Sequence, residues 1–169
     1  MTRPQADEAA PYYSRYIDLI RSDDIVTTLT KQLNEASQFL STISEEKSLH
    51  QYADGKWTIR QVLSHINDGE RVFLHRAFWF GRGFTDALPS FDQDISVVVA
   101  QANNVSWKDH LEEFRNVRHA TLSFFKNLPE EGWSRSGIAS DHSVTVRAIA
   151  YIIAGHLEHH RKVIQERYL

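Results

Sequence analysis

Residues 145–167 read TVRAIAYIIAGHLEHHRKVIQER, and the placing of their apolar and imidazole side chains decides the fold. Ile149, Ile152, Ile153, His156, His160 and Val163 fall on one stripe of a helical wheel. The periodicity predicts a helix that starts near Ser143 or Thr145 and reaches Arg167. Residues 148–154 are the longest apolar run in the chain, far short of the ~20 residues that span a bilayer. The stripe is therefore suited to a protein interior. His156 and His160, four apart, stand one turn from each other on that inward face. His159 lies at its border and Glu158 points to solvent.

Three further segments carry the same period. Residues 23–44 align Ile25, Leu29, Leu33, Ala36, Leu40 and Ile43. Residues 58–80 open on Thr58 and Gln61, a capping-box pair, and align Val62, Ile66, Gly69, Phe73 and Phe80. Residues 106–127 open on Ser106 and Asp109 and align Trp107, Leu111, Phe114, Arg118, Leu122 and Phe125. Rods of 20–25 residues are roughly 30–37 Å long. Four of matched length, each with one apolar stripe, bury those stripes best against one another, which predicts an all-α four-helix bundle. Connections of roughly 12–25 residues exceed what an up-down-up-down bundle needs and predict long crossovers covering an end or a site. The one from 81 to 105 holds Phe91-Asp92-Gln93-Asp94 and Val97-Val98-Val99, read as a short extra helix. No strand is expected; residues 143–146 alternate but are too few.

The 169 residues suit a single domain over 1–169, with polar residues 1–11 as a poorly ordered tail. There is no cysteine, which excludes disulfides, thiolate metal sites and a cysteine nucleophile. Nineteen basic against 22 acidic residues give a net charge of −3, a poor balance for holding a nucleic acid. Without a secretory h-region or a membrane span, a cytoplasmic protein is expected. An outer helix face is free to pair two copies as a homodimer.

Nine histidines beside a single methionine make imidazole the ligand available in quantity. His65 sits at the edge of the core stripe of the second helix, in phase with the inward pair His156 and His160. Three neutral imidazoles in one core each need a hydrogen-bond partner, and the stripes around them supply none. A divalent metal answers that need by taking a ring nitrogen from each. The peptidase pattern His-Glu-x-x-His is absent, because Leu157 follows His156, and the chain contains no Glu-x-x-His of the di-iron bundles. What remains is a mononuclear three-histidine site with open positions, suited to zinc, nickel, iron or copper. Such a site acts as a Lewis acid or lowers the pKa of a bound water or thiol.

Asp68, about 60° from His65 on the wheel, is a candidate proton acceptor, set against an ordinary rim carboxylate. Arg76 and Arg118 fall inside apolar stripes, where a guanidinium needs a carboxylate. Pairing with Asp68, Asp92 or Asp94 is expected, the other reading being an arginine that receives a substrate carboxylate. Gly69 stands one turn beyond His65, either to keep access to a metal open or to let helices approach.

The segment from Gly55 to Arg71, GKWTIRQVLSHINDGER, resembles the second helix of the DinB/YfiT-like superfamily. The Phe91-Asp92-Gln93-Asp94 stretch and the closing Val144-Thr145-Val146-Arg147-Ala148 and Gly155-His156-Leu157-Glu158-His159-His160 resemble the same family, so the likeness runs over residues 12–169. It implies a four-helix bundle with one divalent metal held by His65, His156 and His160. The family includes thiol S-transferases that use bacillithiol or mycothiol, a maleylpyruvate isomerase and metal-binding domains of thiol-histidine biosynthesis. Some mycothiol-type relatives place a glutamate at one ligand position; this chain keeps histidine at all three. The resemblance implies a metal-dependent transferase that activates a low-molecular-weight thiol toward a small-molecule substrate. The alternatives are a metal-dependent hydrolase using metal-bound hydroxide and a non-catalytic metal-binding or stress-response scaffold.

Overall fold

The computed structural model describes residues 2–169. Its helices are α1 (Ser14–Ile17), α2 (Ile25–Ser41), α3 (Ile59–Gly81), α4 (Gln93–Ala100), α5 (Trp107–Lys126) and α6 (Val146–Arg167). Two short strands, β1 (Ser136–Ala139) and β2 (His142–Thr145), precede α6. The long helices start where side chains can satisfy the first free backbone N–H groups. Asp24 accepts from the Thr27 amide, Thr58 and Gln61 close a reciprocal capping box, and Ser106 and Thr145 accept from Asp109 and Ala148.

The bundle consists of α2, α3, α5 and α6. Helix α3 packs on α5 and α6, and α2 packs on the same two, so the order around the bundle is α2, α5, α3, α6. Helices joined in sequence as α2–α3 and α5–α6 are thus diagonal to each other. A diagonal crossing cannot be made by a tight turn, which accounts for the length of these two connections, while the one between the neighbours α3 and α5 is long because it carries α4. The expected short helix is α4, capped by Asp92 and packed on α3.

Three features depart from the sequence reading. The first three turns of α6 are buried all round rather than along one stripe: Val146, Ala148, Ala150, Tyr151, Ile152 and Ala154 have no exposed surface. They are enclosed because α1, α2, α3 and β2 all pack on this helix. Second, β1 and β2 form an antiparallel hairpin, in register from Ser136 opposite Thr145 to Ala139 opposite His142. Its turn residues Ser140 and Asp141 have φ of 52° and 64°, the left-handed pair that a two-residue hairpin demands. The turn lacks the Asn-Gly signal, so the pattern alone does not announce it.

Third, residues 2–11 of the expected tail are packed on the bundle; Met1 lies outside the described residues. Short turns at Ala6–Glu8 and Pro11–Tyr13 lead into α1, which lies against α6. Glu8 accepts from Thr145 and pairs with Arg147, and that contact holds its carboxyl below the usual range although burial opposes it. The partners are separated by most of the chain, beyond the reach of local pattern reading. Gly155 makes the docking of α1 feasible, since a Cβ there would stand 2.0 Å from the Tyr16 carbonyl oxygen. Among the described residues no helix is long and apolar enough to cross a membrane.

Candidate metal centre

Helices α3 and α6 run against each other over the middle of the bundle, and their contact brings three imidazoles to one point. His65 projects from the second turn of α3; His156 and His160 project from successive turns of α6. The Nε2 atom of His156 lies 3.0 Å from Nε2 of His65 and 3.1 Å from Nε2 of His160. One ligand atom from each ring falls within 4.8 Å of the others. Tyr16 meets the His156 ring edge-on at 5.3 Å between centroids, and Trp57 covers His65 at 5.1 Å. Burial lowers the basicity of all three rings. It takes His65 to about 4, against a smaller upward pull from Asp68 and Asp94. His160 falls to about 3 and His156 well below its ordinary value, burial being the main cause and neighbouring imidazoles adding to it.

These rings are neutral at pH 7, and their convergence needs a reason. Whatever the tautomers, three nitrogens turned toward one point set lone pair against lone pair or N–H against N–H. Nδ1 of His65 is buried without a hydrogen-bond partner among the described residues, so the ring is not oriented by a bond on its far side. A cation about 2 Å from each nitrogen removes the conflict, and neighbouring ligands on one ion are then separated by about 3 Å, as here. The donor set, three neutral imidazoles with no thiolate and no carboxylate, fits a borderline divalent transition metal.

Residues 28–164 match the DinB superfamily. This chain belongs to that family. A protein of Oceanobacillus iheyensis, inferred to be a metal-dependent hydrolase, is 23% identical over 136 residues, covering 80% of this chain and 76% of that one. The fold superposes on YfiT from Bacillus subtilis with a TM-score of 0.72 at 17% identity, over 85% of this chain and 83% of that one. YfiT is itself described as a metal-dependent hydrolase by inference, with an unusual four-helix bundle topology. The mycothiol-dependent maleylpyruvate isomerase gives a TM-score of 0.71 at 11% identity over 86% of this chain, which spans only 61% of that larger protein. At these identities the structural likeness is one of fold.

In this DinB-superfamily protein the triad opens on one side into a pocket of about 300 Å³. His65 and His156 form part of its wall, with Phe73 and Arg76 from α3, Phe91 from the long connection and Ser140 from the hairpin turn. Tyr12, Tyr13 and Tyr16 complete it. The tyrosines follow directly on residues 1–11, the segment expected to be a tail, and lie at the start of the stretch that carries the family resemblance; their run of aromatics is the signal the sequence offers. Burial, chiefly, raises the Tyr16 hydroxyl well above its ordinary pKa, so it stays protonated.

The other candidates separate. Arg118 is fully buried, but its partner is Glu70, held by two bonds of 2.7 and 2.8 Å, and not one of the expected aspartates. Glu70 lies one turn from Asn67 on the inner side of α3, a position the wheel left unassigned. The pair is structural and does not line the pocket. Asp68 accepts from Ser96 of α4 at 2.7 Å and pairs with Arg71 at 3.3 Å, so it ties α4 to α3 and is not on the pocket wall. His159 meets Tyr16 and His160 edge-on and stays outside the three-nitrogen cluster. Of Asp68, Arg76 and Arg118, Arg76 alone reaches the pocket, where Gly69 also forms part of the wall.

Proposed function

We propose that this protein is a metal-dependent enzyme in which His65, His156 and His160 hold one divalent transition metal (zinc, nickel or iron) and a low-molecular-weight thiol is activated for transfer to a small electrophile. The observation that carries this reading is the convergence of three neutral imidazoles, two of them on the wall of a pocket that contains no carboxylate. A divalent ion bound there supplies Lewis acidity and lowers the pKa of a coordinated thiol or water. Neutral ligands leave the ion its full charge, and the flanking Trp57 and Tyr16 rings keep bulk water from its sides.

The wall also favours thiol chemistry over hydrolysis of stable amides. A thiol needs only to release its proton to solvent, whereas a poor leaving group needs an acid to protonate it, and no carboxyl group faces the pocket to do so. The mycothiol dependence in the name of one structural neighbour supports the same side. Hydrolysis of activated esters at the same centre is the second reading, favoured by the hydrolase names of the two bacterial relatives.

The test uses protein purified without a nickel column and assayed for metal by elemental analysis. It is incubated with a panel of small thiols and monobromobimane, with and without chelator. Transfer forms the S–C bond as C–Br breaks; bromide leaves with the electron pair and the thiol proton passes to buffer. Thiol-dependent turnover that chelation abolishes is expected. Cleavage of p-nitrophenyl acetate without thiol, in place of that turnover, would make the protein a hydrolase. Metal without either activity would leave a binding scaffold.

A further inference from the structure

Three arginines are buried in this fold: Arg60, Arg76 and Arg118. Arg60 pairs with Glu45 and Arg118 with Glu70. Arg76 is 5% exposed and has no carboxylate within ion-pair distance among the described residues. Its Nη2 donates to the Pro89 carbonyl and to Ser140 Oγ, both at 2.9 Å and both neutral. Nε and Nη1 make no hydrogen bond to the described residues. A buried guanidinium without a counter-ion is costly, and folds retain one where an anion completes it.

The surroundings say where that anion sits. Arg76 is on the wall of the pocket that leads to the three imidazoles, and no other arginine or lysine and no aspartate or glutamate lines that cavity. It lies eleven residues beyond His65 on the inner face of α3, about 16 Å of helix rise, and its side chain leans back toward the helix N-terminus. Ser140, which accepts from it, is held at a positive φ of 52° in the hairpin turn, a conformation few serines adopt. Between guanidinium and imidazoles the wall is aromatic, with Phe73 under the guanidinium at 5.8 Å.

We infer that Arg76 is the anion receptor of this pocket and that the substrate is a small organic carboxylate, bound with its carboxylate on Arg76 and its apolar body against Phe73 and Phe91, so that its far end reaches the histidine centre. A singly charged carboxylate matches one guanidinium in an aromatic cavity better than a doubly charged phosphate, which would bury a second charge unmatched. This assignment rests on the reading of the triad as the reacting centre only for the direction the substrate faces; the anion site stands on Arg76 itself.

The probe is phenylacetate against its neutral isostere phenylacetamide, titrated by calorimetry into the wild-type chain, with metal and after chelation. Arg76→Gln and Arg76→Lys are titrated alongside. Expected are preferential binding of the carboxylate by at least about tenfold, its persistence without metal, loss of that preference in R76Q and partial retention in R76K. Equal binding of acid and amide by wild type overturns the assignment without recourse to any variant. Carboxylate binding that needs metal and ignores R76Q also overturns it, since the carboxylate would then sit on the ion, while leaving the metal centre intact. Absence of stoichiometric metal together with an Arg76-dependent preference would sink the metal reading and keep the anion site.

Discussion

The backbone of Gly69 lies directly against the ring of His156: a Cβ at Gly69 would stand 3.0 Å from His156 Cε1. The ring has little room to retreat, because Tyr16 and Phe73 meet it edge-on at 5.3 and 6.1 Å. Gly69 therefore sets the distance between α3 and the central imidazole. Gly69→Ala should leave the stability of the metal-free protein little changed or slightly lower, since the roughly 1 kcal/mol by which alanine favours helix over glycine is offset by the crowding of the His156 ring. It should also displace the His156 ring by a few tenths of an ångström and weaken metal binding by about tenfold. Competition titration with a chromophoric chelator, beside thermal melts of the apo form, separates the two effects. Unchanged affinity would mean that the ring has slack and that this glycine serves helix packing alone.

The buried pair of Arg118 and Glu70 should govern stability and not chemistry. Arg118 also donates to the Leu29 carbonyl and to Gln32 Oε1, so it joins α5 to both α3 and α2. Glu70→Ala leaves that guanidinium uncompensated and should cost about 3–5 kcal/mol in urea unfolding. The double change Glu70→Met with Arg118→Met should recover most of the loss, because apolar side chains of similar volume replace both charges. Metal stoichiometry of the folded double variant should match wild type. A double variant as unstable as E70A would show that the wider network, not the ion pair, holds the helices.

Local signals carried the four long helices and the triad, because period and capping are properties of neighbours in sequence. Thr58, Ser106 and Thr145 cap as their positions suggest, and His65, His156 and His160 share the inward side that the wheel gives them. What stayed hidden depends on contacts far apart in the chain. Nothing in the sequence sets Glu70 apart from the expected aspartates as the partner of Arg118, because choosing among carboxylates requires the rotation of α5 against α3. The pocket wall draws Tyr12, Phe91 and Ser140 from three separate connections, and no period links them. The hairpin escaped notice since its strands have four residues each and its turn is Ser140-Asp141.

The histidine centre should make the metal-free protein acid-sensitive in a defined window. In the folded chain His65 titrates near 4 and His160 near 3, both below the ~6.5 of an exposed imidazole. The unfolded chain therefore takes up protons first as pH falls below about 6.5, and stability drops until about pH 4–3, where the folded rings protonate too. Above about pH 7 these groups contribute no slope. Bound metal raises the whole curve, and protons compete with it over the same window. Melting temperatures across pH 8 to 4 should be flat and then fall, with a shallower fall in His160→Ala. Identical slopes in variant and wild type would assign the acid sensitivity to carboxylates instead.

The three imidazoles should not contribute equally with their neighbour His159. Helix α6 carries His159 next to His160, yet only His160 turns its Nε2 to His156, at 3.1 Å, while His159 faces Tyr16. Removing one of three ligands forfeits a whole metal bond and leaves two nitrogens with a water in the third place. His160→Ala and His65→Ala should accordingly reduce metal from near stoichiometric to a trace in protein purified without a nickel column. His159→Ala should retain it. Elemental analysis reads the result directly, and a circular dichroism melt of each variant guards against loss through unfolding. Full occupancy in H160A would remove that residue from the centre, and loss in H159A would put the fourth ring in its place.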